Sequence, residues 1–382
     1  MLGVVFMFIY LVKVINVQFV LRYDSWVMGE WLINYTAGFI RRGLLGEIFL
    51  TVDPFLNIHI TSLVIVTKAI LYIFIGVCFL WISGGFDKKL GVAELVLILA
   101  PWALMFDLID IRGSGRKETI LIAAFLIFLF IQRFAEKQEK EYSRWAVFWY
   151  LVFIFPILVL IHEGFFFFLP FFGLIIFLED RTSLAYKLRI LAIPFLSALF
   201  FFLWFYFQNP LDARQANQIC LSLTERMIDE DICIGAVDAL KYSLPEIPVL
   251  NYFKYYLPSL LLVTIPLLVF GLNTSGLGIK KITLAVFLPL AAILPLFWVS
   301  FDWGRWIHVY GMMILAVVLF KKQKDFSSKL PINFLNVLGM MLLGYVYLFT
   351  WRLKPFIGEG TNPSRMLFDI IKWLEALTGF NL

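Results

Sequence analysis

Apolar runs of roughly 18 to 20 residues, each closed by a short polar break, repeat along the chain. Coiled as helices, runs of that length match the hydrocarbon thickness of a bilayer. They predict helices over 2–21, 57–83, 92–109, 119–133, 145–161, 164–178, 190–207, 256–272, 282–300, 308–320 and 331–350. The run 308–320 extends back through Trp306. Helices five and six meet at His162-Glu163-Gly164, which reads as a tight hairpin or a broken helix. The N-terminal run lacks a basic flank and a small-residue cleavage pattern, so it reads as a retained first helix. The expected fold is all-α: a polytopic integral membrane protein with about 11 transmembrane helices. No linker or repeat divides the chain, so 1–382 is expected to be a single membrane domain.

The polar breaks set the orientation. Those at Lys88-Lys89, Arg133–Arg144, Arg181–Arg189, Lys280-Lys281 and Lys321–Lys329 are short and basic, as cytoplasmic loops are. Counting spans from a cytoplasmic N-terminus puts all five inside. The same count puts 22–56, 110–118, 162–163, 208–255, 301–307 and 351–382 outside. The first of these reads as a loop with a re-entrant or interfacial helix. The large loop 208–255 reads as short amphipathic helices lying over the outer mouth. The C-terminal segment carries Met366, Ile370, Trp373 and Leu377 as the apolar stripe of another interfacial helix.

Composition agrees with this picture: 62% hydrophobic and 15% charged residues exclude an ordinary soluble domain. The net charge is +5, but no basic arm is present, so nucleic acid is not an expected partner. The cations are unevenly placed. The inner breaks hold 11 Lys and 4 Arg, and the outer segments 5 Lys and 10 Arg. Arginine presents a flat fork of donors that fits phosphate bidentately. Its gathering on the face that should be poor in positive charge points to an anion, or else to pairing with outer carboxylates. Cys78 reads as a packing residue in an apolar helix. Cys220 and Cys233 share the large outer loop, where a disulfide is expected if that loop faces an oxidising compartment.

Four stretches carry candidate chemistry. In Asp24–Glu47, Arg41-Arg42 lie among Gly38, Gly43 and Gly46, which let the backbone turn or approach a ligand closely. Asp24 lies just past the first helix, where a carboxylate can face a reaction centre. The alternative for this stretch is an interfacial helix with an aromatic belt. In Asp107–Glu118, Arg112, Arg116 and Lys117 flank a Gly-Ser-Gly turn whose amides suit a phosphate; a solvated turn is the alternative. It is not a Walker A loop. His162-Glu163 is a polar pair in an apolar setting, with the makings of a proton acceptor. In Ser300–His308, Asp302, Arg305 and His308 fall three apart and share a helical side. There Arg305 suits phosphate, with Trp303 and Trp306 as sugar platforms or interface markers. In the large loop, Arg214 and Arg226 are candidates to meet substrate. His59, His162 and His308 have no metal-ligand spacing, and no cofactor is expected.

The chain resembles the polytopic membrane proteins of bacterial surface-polysaccharide clusters, above all Wzy-type O-antigen polymerases. The likeness is carried by Gly38-Phe39-Ile40-Arg41-Arg42-Gly43-Leu44, Gly115-Arg116-Lys117-Glu118, His162-Glu163 and Asp302–Trp306, spread over roughly the first 310 residues. It implies a GT-C-like fold, similar to that of C-type glycosyltransferases. It implies an undecaprenyl-diphosphate-linked oligosaccharide as substrate, arginines holding the diphosphate, and glycosyl transfer at the periplasmic face of the inner membrane. Membrane lipid is a further partner, and a chain-length regulator is compatible with the resemblance. His162-Glu163 ranks first as base and Asp24 second. Two rivals stay open. A C-type glycosyltransferase using a polyprenyl-monophosphate sugar would have Asp24 as its leading base. A lipid-linked oligosaccharide flippase would place its polar site at the bilayer midplane.

Overall fold

The computed structural model describes residues 12, 15, 16, 19, 24–56, 58–84, 91–109, 113, 115–138, 141–179, 182–226, 228–242, 249–275, 277–322, 344, 347, 351 and 353. Among them every regular element is helical. In chain order the α-helices are α1 (Val27–Leu32), α2 (Leu44–Leu56), α3 (Ile60–Ile82), α4 (Val92–Ile98), α5 (Phe106–Ile109), α6 (Glu118–Gln138) and α7 (Glu141–Ile161). They continue as α8 (Leu169–Phe177), α9 (Leu184–Tyr206), α10 (Ala213–Thr224), α11 (Val249–Thr274), α12 (Ile279–Val299) and α13 (Trp303–Phe320). Short 3-10 helices cover Glu163–Phe168, Glu230–Cys233 and Asp238–Lys241. Stretches of α3, α6, α7, α9, α11, α12 and α13 are long and apolar enough to cross a membrane, seven in all among the described residues.

Seven is fewer than the eleven expected, for identifiable reasons. The runs 2–21 and 331–350 lie almost wholly outside the described residues. The run 92–109 is not one helix: α4 ends at Ile98, turns follow, and only α5 resumes the coil. Pro101 supplies no N–H and disfavours helical geometry at Ala100. The run 164–178 opens as a 3-10 helix and continues as α8, a piece shorter than the spanning helices. The run 308–320 does extend back through Trp306: α13 begins at Trp303, and Arg305 reaches back to Asp302 across its first turn.

The chain divides into two compact units, residues 1–76 with 114–245 and residues 77–113 with 246–382. In the first unit α6, α7, the 3-10 helix with α8, and α9 run antiparallel. The hairpin at His162 brings Phe155 of α7 against Phe172 of α8, ring centroids 5.3 Å apart. Phe166 stacks on Phe202 of α9 at 4.6 Å. At one end of this group, Gln132 donates to Glu179 at 3.0 Å, and the Lys187 ammonium caps the carbonyls of Phe177 and Glu179. At the other end lie the first loop, residues 115–118, the His162 junction and the large loop. Gln208 donates to the Phe39 carbonyl at 2.9 Å, and Asn34 to Ser222 at 3.0 Å. Four segments assigned to a common side from the charge pattern therefore share an end within this unit.

The large loop folds down on that end. Met28, Trp31 and Leu32 of α1 share a buried cluster with Phe49 and Leu50 of α2, Val64 of α3, and Leu223, Ile228 and Ile232 of the loop. Gly235 lies so close to Ser25 that a Cβ would sit 2.5 Å from the Ser25 carbonyl carbon, and the Ala236 N–H donates to Ser25 O at 3.2 Å. A disulfide joins Cys220 of α10 to Cys233, with Cα atoms 5.9 Å apart. In the second unit α13 is buried along its whole length. Gly311 admits the Trp102 ring, which a Cβ would approach to 2.5 Å.

In a non-reducing digest of the purified protein, peptides containing Cys220 and Cys233 should remain joined, while Cys78 takes up an alkylating reagent. Replacing the bridged pair with serine should lower stability by about 3 kcal/mol on the loop-entropy scale. Recovery of Cys220 as a free thiol from the folded protein would contradict the assignment.

Candidate functional site

The first loop is shaped by close packing. Gly38 adopts φ +101°, and Arg42 adopts φ +66°, a left-handed conformation uncommon for a residue with a side chain. Several contacts hold it there. The Tyr35 N–H donates to Glu47 at 3.1 Å, the Tyr35 ring covers Gly43, and Gly46 abuts the Ile33 carbonyl, so neither glycine has room for a Cβ. The Arg42 carbonyl accepts from the Lys117 ammonium at 2.7 Å. Thus the backbone of Arg42 is tied to the second polar stretch and its side chain to the third.

That side chain grips Glu163. Arg42 Nε lies 3.0 Å from both carboxylate oxygens, and a terminal nitrogen lies 2.6 Å from Oε1. Burial alone would push the Glu163 carboxyl up. The guanidinium of Arg42, with His162 and Arg41 beside it, outweighs burial and holds it well below the usual carboxylate range. Glu163 is therefore ionised at neutral pH and weakly basic. His162 is extended and caps the following 3-10 helix: its Nδ1 accepts from Gly164 N–H at 3.0 Å. That bond assigns the neutral ring a proton on Nε2, which faces Glu30 at 3.6 Å.

Glu30 is the hub. It is 2% exposed, and its second oxygen pairs with Arg116 Nε at 3.0 Å. Trp31, next along α1, donates its indole N–H to Gly115 O at 2.7 Å. Gly115, at φ +68°, donates in turn to the Tyr72 hydroxyl at 2.6 Å. Lys117 is fully buried and donates to the carbonyls of Arg42 and Ile161. Burial lowers its pKa to about 7, against the pull of Glu30, Glu163 and Glu118 and with a push from Arg42.

At this end of the unit Arg41 and Lys68 have neither an ion pair nor a hydrogen bond among the described residues. Arg41 is half-buried beside the Arg42–Glu163 pair; burial lowers its pKa, with Glu163 opposing and Arg42 adding to the effect. An arginine stays charged even so. Lys68 of α3 is 0% exposed, and its ammonium takes no hydrogen bond; it lies 5.3 Å from the Trp31 ring centroid. Cations left over beside satisfied ion pairs are the groups that could receive an anion.

The structure thus brings together Arg41, Arg42, Arg116, Lys117, His162 and Glu163. Asp24 opens α1, its Oδ1 accepting from the N–H groups of Trp26 and Val27. Arg214 is exposed on α10. Arg226 lies 3.5 Å from Asp53 and donates to the Ser222 carbonyl. Arg112 lies outside the described residues. The remaining candidates belong to the second unit. Arg305, 3% exposed, pairs with Asp302 at 2.6 Å. His308 Nδ1 lies 2.7 Å from the Trp102 carbonyl, and its ring stacks on Phe106. Trp303 packs against Tyr252, Tyr256 and Phe297, and both it and Trp306 are buried, so neither presents an open face. Glu30 and Lys68 were not singled out from sequence. Lys68 carried a signal, a charge inside an apolar helix. Among the described residues no group of three or more His, Cys, Asp or Glu side chains is arranged to hold a metal ion.

Glu30→Ala strands a buried guanidinium and should cost about 3–5 kcal/mol, read as a lower thermal midpoint. Replacing both partners with apolar residues, as in Glu30→Leu with Arg116→Met, should recover part of that loss. Equal midpoints for Glu30→Ala and the parent would mean that the pair contributes nothing. Lys117 gives a pH signature. Its folded pKa lies below the ordinary lysine value of about 10.4, so the unfolded chain binds more protons between pH 7 and 10. The stability contribution of Lys117 therefore rises with pH across that window. A bound anion favours the protonated amine, so anion binding should take up a proton near pH 7–8 and weaken above it. Calorimetry in buffers of different ionisation enthalpy reads that uptake, and Lys117→Met should reduce it.

Compared with family models, with curated proteins and with solved structures, the chain matches none. Its functional reading rests on these side chains.

Proposed function

We propose that this protein is a membrane glycosyltransferase that polymerises undecaprenyl-diphosphate-linked oligosaccharide repeat units at the periplasmic face of the bacterial inner membrane. It would act in the manner of the Wzy-type O-antigen polymerases that its motifs resemble. One observation carries the reading. Three motifs far apart in sequence, around Arg41-Arg42, Arg116-Lys117 and His162-Glu163, meet at one end of a group of apolar helices. The meeting leaves Arg41 and Lys68 with neither an ion pair nor a hydrogen bond among the described residues. The disulfide in the large loop supports an oxidising compartment on that side.

In the reaction, a hydroxyl of one lipid-linked repeat attacks the anomeric carbon of a glycan on undecaprenyl diphosphate. A new carbon–oxygen bond forms, and the bond from the anomeric carbon to the diphosphate oxygen breaks. The electron pair and the negative charge leave with the diphosphate. Fixed cations aimed at that developing charge are the largest catalytic contribution expected. Arg41 and Arg42 hold the diphosphate, with Arg116 and Lys117 behind them. The hydroxyl proton needs an acceptor. Glu163 is weakly basic while Arg42 grips it, and the His162 Nδ1 lone pair is taken by Gly164. Asp24 has its Oδ2 without a hydrogen bond among the described residues, which favours it as the base. The same observation favours a second reading, a C-type glycosyltransferase that moves one sugar from a polyprenyl monophosphate.

Product length separates the readings. The purified protein in lipid nanodiscs, given lipid-linked repeat units, should make a ladder of polymer; single addition would select the second reading. Movement of labelled lipid with no new glycosidic bond would select a transporter. Arg41→Ala and Arg42→Ala should each lower turnover about 10²–10³-fold, as removal of an oxyanion donor does.

A further inference from the structure

Lys68 is a charge that the proposed mechanism does not use. It sits in α3, wholly buried, with three donor hydrogens and no hydrogen bond among the described residues. Its surroundings do not neutralise it. Glu30 is already shared between Arg116 at 3.0 Å and His162 at 3.6 Å. Asp24 has one oxygen committed to two backbone N–H groups. Arg116 adds a second positive charge on the same side. The Trp31 ring lies over the ammonium, an attraction of about 2 kcal/mol when desolvated. That falls short of the several kcal/mol that an isolated buried ion loses on leaving water. A buried ammonium with no hydrogen-bond acceptor, beside a buried guanidinium, lacks an anion.

We propose that Lys68, Arg116 and Trp31 form an inner anion subsite that receives a phosphate group of the ligand, deeper than the Arg41–Arg42 pair. The subsite rests on the anion-binding reading of this end of the unit and not on the polymerisation chemistry. Its ligand class is the phosphate or diphosphate monoester. Lys68 supplies a compact point charge, whereas Arg116, anchored by Glu30, presents its remaining donors as a fork. Trp31 is the wall: its N–H is fixed on Gly115 O, so its face stays turned to Lys68. Gly115 and Tyr72 hold that wall in turn. The arrangement divides two roles. The half-buried arginines meet the ligand at the surface, and the buried lysine selects what enters fully.

The test uses the full-length protein in nanodiscs, with inorganic pyrophosphate and farnesyl diphosphate as probes and calorimetry as the readout. Lys68→Met, nearly the same length but apolar, should lower affinity ten-fold or more for whichever probe the parent binds. Loss for both probes assigns the subsite to the headgroup alone. Loss for farnesyl diphosphate alone assigns it to a phosphate delivered on a lipid. Without ligand, the thermal midpoint of Lys68→Met should equal or exceed that of the parent, because an unmet buried charge has been removed. Unchanged affinity in Lys68→Met, or no binding of either probe by the parent, would overturn the subsite. Should the variant fail to fold, density for the unmutated protein soaked with pyrophosphate decides: phosphate within hydrogen-bond distance of Lys68 Nζ is expected, and phosphate at Arg41-Arg42 alone refutes the proposal. The polymerase reading fails separately. Lys68-dependent binding without a polymer ladder sinks that reading only, and a ladder without such binding sinks the subsite only.

Discussion

Charge removed from water must be met by charge, and the first unit is arranged around that demand at Glu30. Its carboxylate is almost fully buried between Arg116 and His162. An isolated ion in such a place is costly by several kcal/mol, so the carboxylate holds its partners in place as much as they hold it. Through Arg116 it fixes the turn before α6, and through His162 the break between α7 and the 3-10 helix. Once these are fixed, Glu163 points at Arg42, and Arg42 draws the first loop inward. Removing the hub would leave several cations facing one another.

The loop meets the hub at the expense of local strain. Arg42 occupies left-handed backbone space, which a side chain disfavours, and it does so where its carbonyl must reach Lys117. Glycines at 43 and 46 make this possible by letting Tyr35 and the Ile33 carbonyl come close. The large loop then closes over α1, pinned by Gly235 against Ser25 and stapled by Cys220–Cys233. Packing of apolar side chains from α1, α2, α3 and the loop seals the cluster from below. The polar network therefore lies between an apolar helix group and an apolar cap, which keeps the effective dielectric low and the interactions strong.

The second unit treats its charges differently. Arg305 is matched by Asp302 one turn away, and His308 is satisfied by the Trp102 carbonyl. Its Trp303 and Trp306 are packed rather than presented. The first unit keeps the Lys68 ammonium buried with no hydrogen-bond acceptor among the described residues.

The hydrophobic pattern alone determined that this is a helical, membrane-embedded chain, because apolar length and polar breaks are local properties of sequence. It also located Arg41-Arg42, Arg116-Lys117 and His162-Glu163, because charge next to an apolar run is conspicuous wherever it occurs. The break at Pro101 and the start of α13 at Trp303 had only weak local signals, a proline within an apolar run and the Asp302–Arg305 pair across one turn. Glu30 looked like one more acid in a polar stretch, and Lys68 like one cation inside a helix. Only the tertiary structure decided that Glu30 is the hub and that Lys68 meets no hydrogen-bond acceptor among the described residues. Pairing is a relation between residues distant in the chain, and no single stretch of sequence records which charges will find each other once water has been excluded.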